Sequence, residues 1–575
     1  MSGPGDSASK LTNSGEPTRS VYAEGHGATA ENVEEGSGIP RGVIEFGTPT
    51  HVFCTETGRP RPPLASGHLP KQHLAGRGIP EAASKGAEES DALVVPQTPA
   101  NTRVTPVESV EGRGAANGTP AQGNAFRAQE RSEALTKLGQ VGQRAREKKQ
   151  ERFTNLFHLL KVPLLAEAYF RLKPDAAPGV DAVMWQEYGQ GLEERLGALQ
   201  DRLHRGNYHP LPVRRVFIPK TDGSLRPLGI PALEDKIVQM AVKMILEAIY
   251  EQNFVGFSYG FRPGRNQHQA LDALAVALGS KVNWVFDADV RAFFDAVNHQ
   301  HLRRCIERRV GDERLVRLLM KWLRAGVMVN GKVEGSEQGT PQGGVVSPLL
   351  ANIFLHYVLD LWALQWRREH ARGEMYIVRY CDDFVMGFQR EEDVRAMRQA
   401  LTGRFAEYGL ELHPDKTRVI RFGRFAHEKV GQEGRRRPES FDFLGFTHFF
   451  GTDRNGRKML LRRTSRKKRQ AKLTALRKEM RRRKHDRVPA QHGWLSSVLR
   501  GHYAYYGVPG NFRALKTFRE QIRRSWHRQL QRRSQRATWN VEQKQRFDQR
   551  FALPDPKITH PWPLLRFEQQ QKRRP

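Results

Sequence analysis

Met375-Tyr376-Ile377-Val378-Arg379-Tyr380-Cys381-Asp382-Asp383-Phe384-Val385-Met386-Gly387-Phe388 is the stretch on which the fold turns. Apolar, β-favouring residues run up to a short acidic turn and run back, which predicts a hairpin. Two adjacent aspartates at its tip repel, and in a dry site one of them is pushed toward protonation. A divalent cation removes that conflict, because it brings positive charge and prefers hard oxygen ligands. A solvent-exposed Asp-Asp turn is the plain alternative, and the apolar flanks argue against it.

Nearly a hundred residues earlier, Trp284-Val285-Phe286-Asp287-Ala288-Asp289-Val290 reads as a buried strand ending in acid, followed by Phe293-Phe294-Asp295. A bare carboxylate beside so much apolar surface costs several kcal/mol unless something cationic neutralises it. Taken alone, an ion pair with Arg291 and a metal site satisfy it equally. With the Asp382–Asp383 pair, Asp289 makes the minimum acidic set for a two-metal centre. Between the acids lies Gln338-Gly339-Thr340-Pro341-Gln342-Gly343-Gly344-Val345-Val346-Ser347-Pro348. Its Gly-Gly step permits close backbone approach. Ser347 and Pro348 are expected at the N-cap and first turn of an apolar helix running to near Gly373.

Farther out, Val213 to Lys220 and Leu225 to Pro231 flank Thr221-Asp222-Gly223-Ser224, a hairpin whose tip carries Lys220 and Arg226. These cations read either as a phosphate clamp or as solvated charges. Asp235 to Ile249 is periodic as a helix, and Leu156 to Ala168 shows helical spacing. Ser258-Tyr259-Gly260-Phe261-Arg262-Pro263-Gly264-Arg265 is a basic and aromatic loop.

The chain has 575 residues and a formal net charge of +32, which points to a polyanionic partner, most simply nucleic acid. Residues 1–125 carry 10 basic and 14 acidic residues, so 126–575 carries +36. That first segment, rich in Gly, Ser, Thr, Pro and Ala, is expected to be disordered. Residues 461–540 hold 24 Lys and Arg against three acids. Three amphipathic stripes there read as a small helical bundle with basic outer faces. They are Ala471 (or Leu473) with Leu476 and Met480, then Trp494, Leu495, Val498, Leu499 and His502, and then Leu515, Phe518, Ile522, Trp526 and Leu530. No apolar run approaches the ~18–20 residues of a membrane span. Cys54, Cys305 and Cys381 exclude a disulfide framework and a four-cysteine zinc module.

In their order, these motifs resemble group II intron reverse transcriptases, the intron-encoded maturases. Phe286 to Asp289, Thr340 to Gly344 with Ser347 to Asn352, and Tyr380 to Asp383 resemble the family's palm. Ile218-Pro219-Lys220 with Arg226 to Pro231 is similar to its fingers, Phe441 to Phe446 to its primer grip, and Arg500 to Gly507 to its thumb, or domain X. The resemblance implies an α+β right-hand polymerase. Its parts are a disordered extension 1–125, fingers and palm 126–455, a basic helical thumb/domain X 456–545 and a tail 546–575.

It further implies that Asp289, Asp382 and Asp383 hold two Mg²⁺ ions, with Val290 beside them. Lys220, Arg226, Val290, Phe294, Gln342 and Gly343 are expected to bind the deoxynucleoside triphosphate, with Phe294 excluding a 2′-hydroxyl. Arg262, Arg265, Arg466, Lys467, Lys468, Arg500, Tyr503 and Tyr506 are expected on nucleic acid. Expected partners are structured intron RNA and a DNA target or primer, in a bacterial-type cytoplasmic ribonucleoprotein without a membrane.

Cys381 stands where the family usually has Ala, which suggests sensitivity to oxidation or soft metals. With no cysteine after Cys381, the His-Asn-His endonuclease domain of many relatives is expected to be absent. Competing readings are a non-catalytic splicing factor, a reverse transcriptase serving phage defence or diversity generation, and an RNA-dependent RNA polymerase. The intact acids, the maturase-like thumb and Phe294 argue against them in turn.

Overall fold

The computed structural model describes residues 121–565, apart from 220–224, 330–331, 335–338, 340–342, 424–425, 427–438, 453–455, 457 and 535–537. The expected extension thus lies outside the described residues except for 121–125, which open the helix Ala121–Glu147 rather than ending a disordered segment. Lys220, Thr340, Pro341, Gln342 and Cys54 also fall outside them.

Among the described residues the strands are β1 (Val213–Pro219), β2 (Leu225–Ile230), β3 (Trp284–Ala288), β4 (Val327–Val329), β5 (Lys332–Glu334), β6 (Met375–Tyr380), β7 (Asp383–Phe388), β8 (Arg418–Arg421), β9 (Phe441–Phe443), β10 (Phe446–Thr452) and β11 (Lys458–Thr464). They form three sheets, ordered β2-β1-β4-β5, β6-β7-β3-β8 and β11-β10-β9. Every pairing is antiparallel except β1 with β4.

The second sheet positions the acids. The β6–β7 hairpin forms as read, with Tyr380 opposite Asp383. Strand β3 then pairs with β7, Asp287 opposite Val385 and Ala288 opposite Phe384. Phe286, Phe384, Phe388 and Phe405 are fully buried, each worth about 1.5–3 kcal/mol of apolar burial.

Helices cover the sheets and carry local stop and start signals. Asn266 caps Gln267–Leu278 in a capping box with Gln269. Asp312 caps Glu313–Arg324, and its second oxygen accepts the backbone N–H groups of Leu156 and Phe157 at 2.8 and 2.7 Å. Leu156 to Ala168 is not one helix: a short turn Phe157–Leu159 precedes Val162–Arg171, because Pro163 suits only a first turn.

The helix after the Gly-Gly loop is Ser347–His370. Its N-cap is Val346, not Ser347, and no side chain caps it. By length and composition this helix could cross a membrane, contrary to the reading of the apolar runs, yet most of it lies inside the protein. At its centre His356–Asp360 forms a π-turn.

The core divides late in the chain. One cluster reaches Phe450 and Leu460; a second gathers Leu473, Leu476, Met480, Leu495, Leu499, Leu515, Phe518, Ile522, Trp526 and Leu530. Their helices are Arg466–Arg482, Val488–Tyr506 and Phe512–Gln531. The hairpin β10–β11 straddles the expected 455/456 boundary, so the change of core falls near Ser465 instead. A further helix, Val541–Arg550, crosses the expected start of the tail.

Candidate active site

The turn between β6 and β7 has two residues, Cys381 and Asp382, and such loops require positive φ. Cys381 supplies it at 61°. Arg379 braces the turn from inside. It is wholly buried, and its guanidinium donates to the carbonyl of Cys381 at 2.9 Å and to Asn352 Oδ1 at 2.9 Å. It also donates to both oxygens of Asp360, at 2.7 and 2.5 Å. Removing one partner of such a buried pair costs about 3–5 kcal/mol, because the other charge is left uncompensated. Nearby His356 is kept neutral, its pKa pulled down to about 4 by burial.

A second strut is the segment before Phe261. Tyr259 N–H donates to Arg379 O and Arg379 N–H to Phe257 O, each at 2.9 Å. Gly260 lies so close that a Cβ there would stand 2.4 Å from the Cys381 nitrogen. Its carbonyl accepts from Asn352 Nδ2 at 2.7 Å.

Asp289 follows β3 directly, one residue beyond the last β3–β7 pair, Ala288 with Phe384. Continued by one step the register faces it to Asp383, and its charge acts on both Asp382 and Asp383. Directly opposed residues share a face, and so do residues two apart on a strand. Asp287, Asp289 and Asp383 therefore project from one face. Their charges interact. Burial, then the charges of Asp287, Asp382 and Asp289, push the Asp383 carboxyl well above the usual range. Burial and Asp289 push Asp382 up, while the Arg226 charge opposes. Burial lifts Asp287 to about 6 despite the Arg418 guanidinium 3.1 Å away.

Hard oxygen donors forced together in this way suit a divalent cation. The cradle is not yet closed, however. Among the described residues no three His, Cys, Asp or Glu side chains already surround one point. Asp289 Oδ2 accepts from Lys416 Nζ at 2.6 Å, so a lysine ammonium already partners this carboxylate. Arg291, offered as its ion-pair partner, pairs with Glu411 at 3.1 Å instead. The Asp289 main chain is fixed by His413 N–H at 2.8 Å. Val290 is buried, which leaves only its backbone to face a ligand.

Phe294 is half-buried and packs edge-on against Phe293, ring centroids 5.3 Å apart. The backbone enters this turn through Ala292 at φ 44°. Gly343, at φ 117°, approaches β2 so closely that a Cβ would lie 2.5 Å from Gly229 O. The Gly-rich loop is thereby tied to the hairpin that carries Arg226, which is exposed.

Four expectations need correction. Arg262 is buried, with Glu251 at 2.7 Å and the carbonyls of Val255 and Ser258 at 2.7 Å each, so it braces the loop and has no surface for nucleic acid. Arg265 donates to Gly256 O at 2.7 Å and lies over the Tyr259 ring, and burial lowers its pKa to about 10. Tyr503 is core, its hydroxyl donating to Pro554 O at 3.0 Å. Cys381 is buried and its thiol is pushed far up, so it is protected from oxidants and soft metals. Tyr506 is half-buried, whereas Arg466, Lys467, Lys468 and Arg500 are exposed.

Sequence reasoning missed Arg379, Asp360, Lys416 and the role of Asp287. An arginine inside an otherwise apolar strand was the available signal for the first, since a buried charge demands a partner.

The family model for reverse transcriptase (RNA-dependent DNA polymerase) matches residues 218–448. The chain is 38% identical over 275 residues to Protein YkfC of Escherichia coli, covering 42% of this chain and 72% of that protein. It is 36% identical over 237 residues to the group II intron-encoded protein LtrA of Lactococcus lactis, covering 41% of this chain and 39% of LtrA. A match at 30% identity over 131 residues to nuclear intron maturase 4 of Arabidopsis thaliana covers 22% of this chain and 16% of that protein. Reverse transcriptases adopt the right-hand polymerase fold, act on RNA and use divalent metals. The sheet face that gathers Asp287, Asp289 and Asp383 beside Asp382 lies within the matched region, and the chain belongs to the reverse transcriptase (RNA-dependent DNA polymerase) family.

Proposed function

We propose that the protein copies structured intron RNA into DNA and, as a maturase, binds that RNA and assists its splicing. The observation that carries the reading is the meeting of Asp289 and the Asp382–Asp383 turn, from separate stretches of chain, on one face of β6-β7-β3-β8. Asp289, Asp382 and Asp383 hold two Mg²⁺ ions, with the Val290 carbonyl alongside. When bound, the metals supply a more acidic primer 3′-hydroxyl and charge neutralisation at the departing pyrophosphate.

The chain's own residues do the rest. Asp289 must exchange the Lys416 ammonium for a cation, and Arg379 keeps Asp382 in place while it does so. Arg226, with Lys220 from the same hairpin, grips the deoxynucleoside triphosphate. Gln342 and Gly343 line its pocket, and Phe294 stands against a 2′-hydroxyl. Fingers and palm extend to about Ser465, and the basic thumb/domain X follows and includes the helix Val541–Arg550. There the exposed Arg466, Lys467, Lys468 and Arg500 hold phosphates. The working state is a cytoplasmic ribonucleoprotein that engages a DNA primer or target.

The test is primer extension on an RNA template with Mg²⁺ and each nucleotide type. Deoxynucleotides should be incorporated, and Phe294→Ala should raise ribonucleotide incorporation on the order of tenfold. Extension that ignores the template, or that prefers ribonucleotides in the unmodified protein, overturns the reading.

A further inference from the structure

Phe261 combines two features that the polymerase reading leaves unused. It holds φ 56°, a left-handed region that strains a non-glycine residue, and the residue is 53% exposed. The surrounding structure imposes both. On one side Tyr259 and Gly260 are locked to the catalytic hairpin, by the Tyr259–Arg379 backbone bond of 2.9 Å and by the contact of Gly260 with Cys381. On the other side Arg262 is pinned by Glu251 and two carbonyls. Between two fixed neighbours the chain turns through the left-handed region, and the ring is directed outward.

Its surroundings give that direction a meaning. The Phe261 ring lies 6.2 Å from the Tyr380 ring, tilted at 46°. Tyr380 is directly opposite Asp383 across the hairpin, so its side chain leaves the same face as the catalytic acids. Phe261 and the half-buried Tyr380 thus form an aromatic edge to the acidic face, within reach of whatever binds there. A lone exposed phenylalanine is commonplace; a strained one clamped beside a catalytic turn is not, because glycine would fit the same backbone without penalty.

We propose that Phe261 is a nucleic-acid contact: with Tyr380 it packs against the base or sugar of the primer–template nucleotide adjoining the Asp382 turn. The contact is sequence-tolerant, since every nucleotide presents an apolar face. The proposal rests on the polymerase reading, and its test separates the two.

The full chain and its Phe261→Gly and Phe261→Trp variants are compared by fluorescence anisotropy with a labelled DNA primer annealed to an RNA template. The same hybrid is used for extension, and thermal melting is recorded. Phe261→Gly should raise the dissociation constant roughly tenfold or more, the range of one lost base stack. It should raise KM for the hybrid while leaving kcat within about threefold. It should melt no lower than the unmodified protein, because glycine relieves the positive φ. Phe261→Trp should bind at least as tightly as the unmodified protein. Phe261→Gly with unchanged hybrid affinity overturns the proposal, as does weak binding that Phe261→Trp fails to restore. Failure of the unmodified protein to extend the primer overturns the polymerase reading and this contact with it.

Discussion

The sheet β6-β7-β3-β8 and the helical unit from Arg466 onward carry charge in opposite ways. The sheet crowds four carboxylates onto and beside one face, where burial and mutual repulsion raise three of them. The helices spread cations over exposed surface: Arg466, Lys467, Lys468 and Arg500 stand in solvent above a core of Leu473, Leu476, Leu499 and Trp526. Concentrated charge does chemistry and is costly to hold; dispersed charge holds a polyanion at little cost to the fold. Backbone strain follows the same division. Among the described residues, three of the five positive-φ residues other than glycine (Phe261, Ala292 and Cys381) lie in the catalytic hairpin or in turns close to its acids. None lies in the basic helices.

The sharpest way to break this contrast is a single substitution on each side. Asp382→Ala should take primer extension to background while leaving RNA affinity within about twofold; residual extension above a few per cent removes the active site as described. Next in size is the brace. Arg379→Met should lower stability by about 3–5 kcal/mol in chemical denaturation, since Asp360 is left as a buried bare charge. Adding Asp360→Leu should recover most of that loss but not extension, because the Cys381 carbonyl still lacks its donor. Recovery of both would make Arg379 a purely structural residue.

A smaller effect belongs to the helical unit. His502 is stacked on Phe518 at 3.9 Å, and burial, aided by the Lys472 charge, pulls its pKa down to about 4. A base with a depressed folded pKa contributes stability that is whole above its unfolded value near 6.5 and is lost as pH falls through 4. Acid unfolding of this unit should therefore steepen between pH 6.5 and 4, by at most about 3 kcal/mol. His502→Phe should flatten that limb. The smallest effect is expected from the surface. Arg466→Ala with Lys467→Ala should change stability by no more than about 0.5 kcal/mol. The pair should weaken RNA binding several-fold at low salt and reduce the salt slope by about two. A stability loss of several kcal/mol would show that these cations are not merely dispersed.

The readable parts of the fold were those governed by alternation and spacing. The acidic hairpin, the helix Leu233–Tyr250 and the stripe Leu515 to Leu530 follow from period 2 or 3.6 alone. The strand ending at Asp289 and the turn at Asp382 were legible as a pair because two unpartnered acids, each among apolar residues, need a common answer. Arg262 and Arg265 were misread because a guanidinium in a Gly-rich loop has the same composition whether it faces phosphate or closes on backbone carbonyls. Lys416 was invisible because its contact spans 127 residues of chain. The brace depends on which turn of a helix faces a strand, and local spacing does not carry that information.

The π-turn at His356–Asp360 bears on any attempt to engineer this enzyme. One extra residue in a helical turn rotates everything beyond it by about 100° relative to an ideal helix. Asp360 sits at the end of that insertion, and its two oxygens are what Arg379 grips. Straightening the helix by a one-residue deletion would look like routine regularisation of a stable rod. It would swing the counter-ion off the arginine and slacken the loop that presents Asp382. A consensus redesign that rewards regular geometry would thus produce a sturdier scaffold with an idle centre.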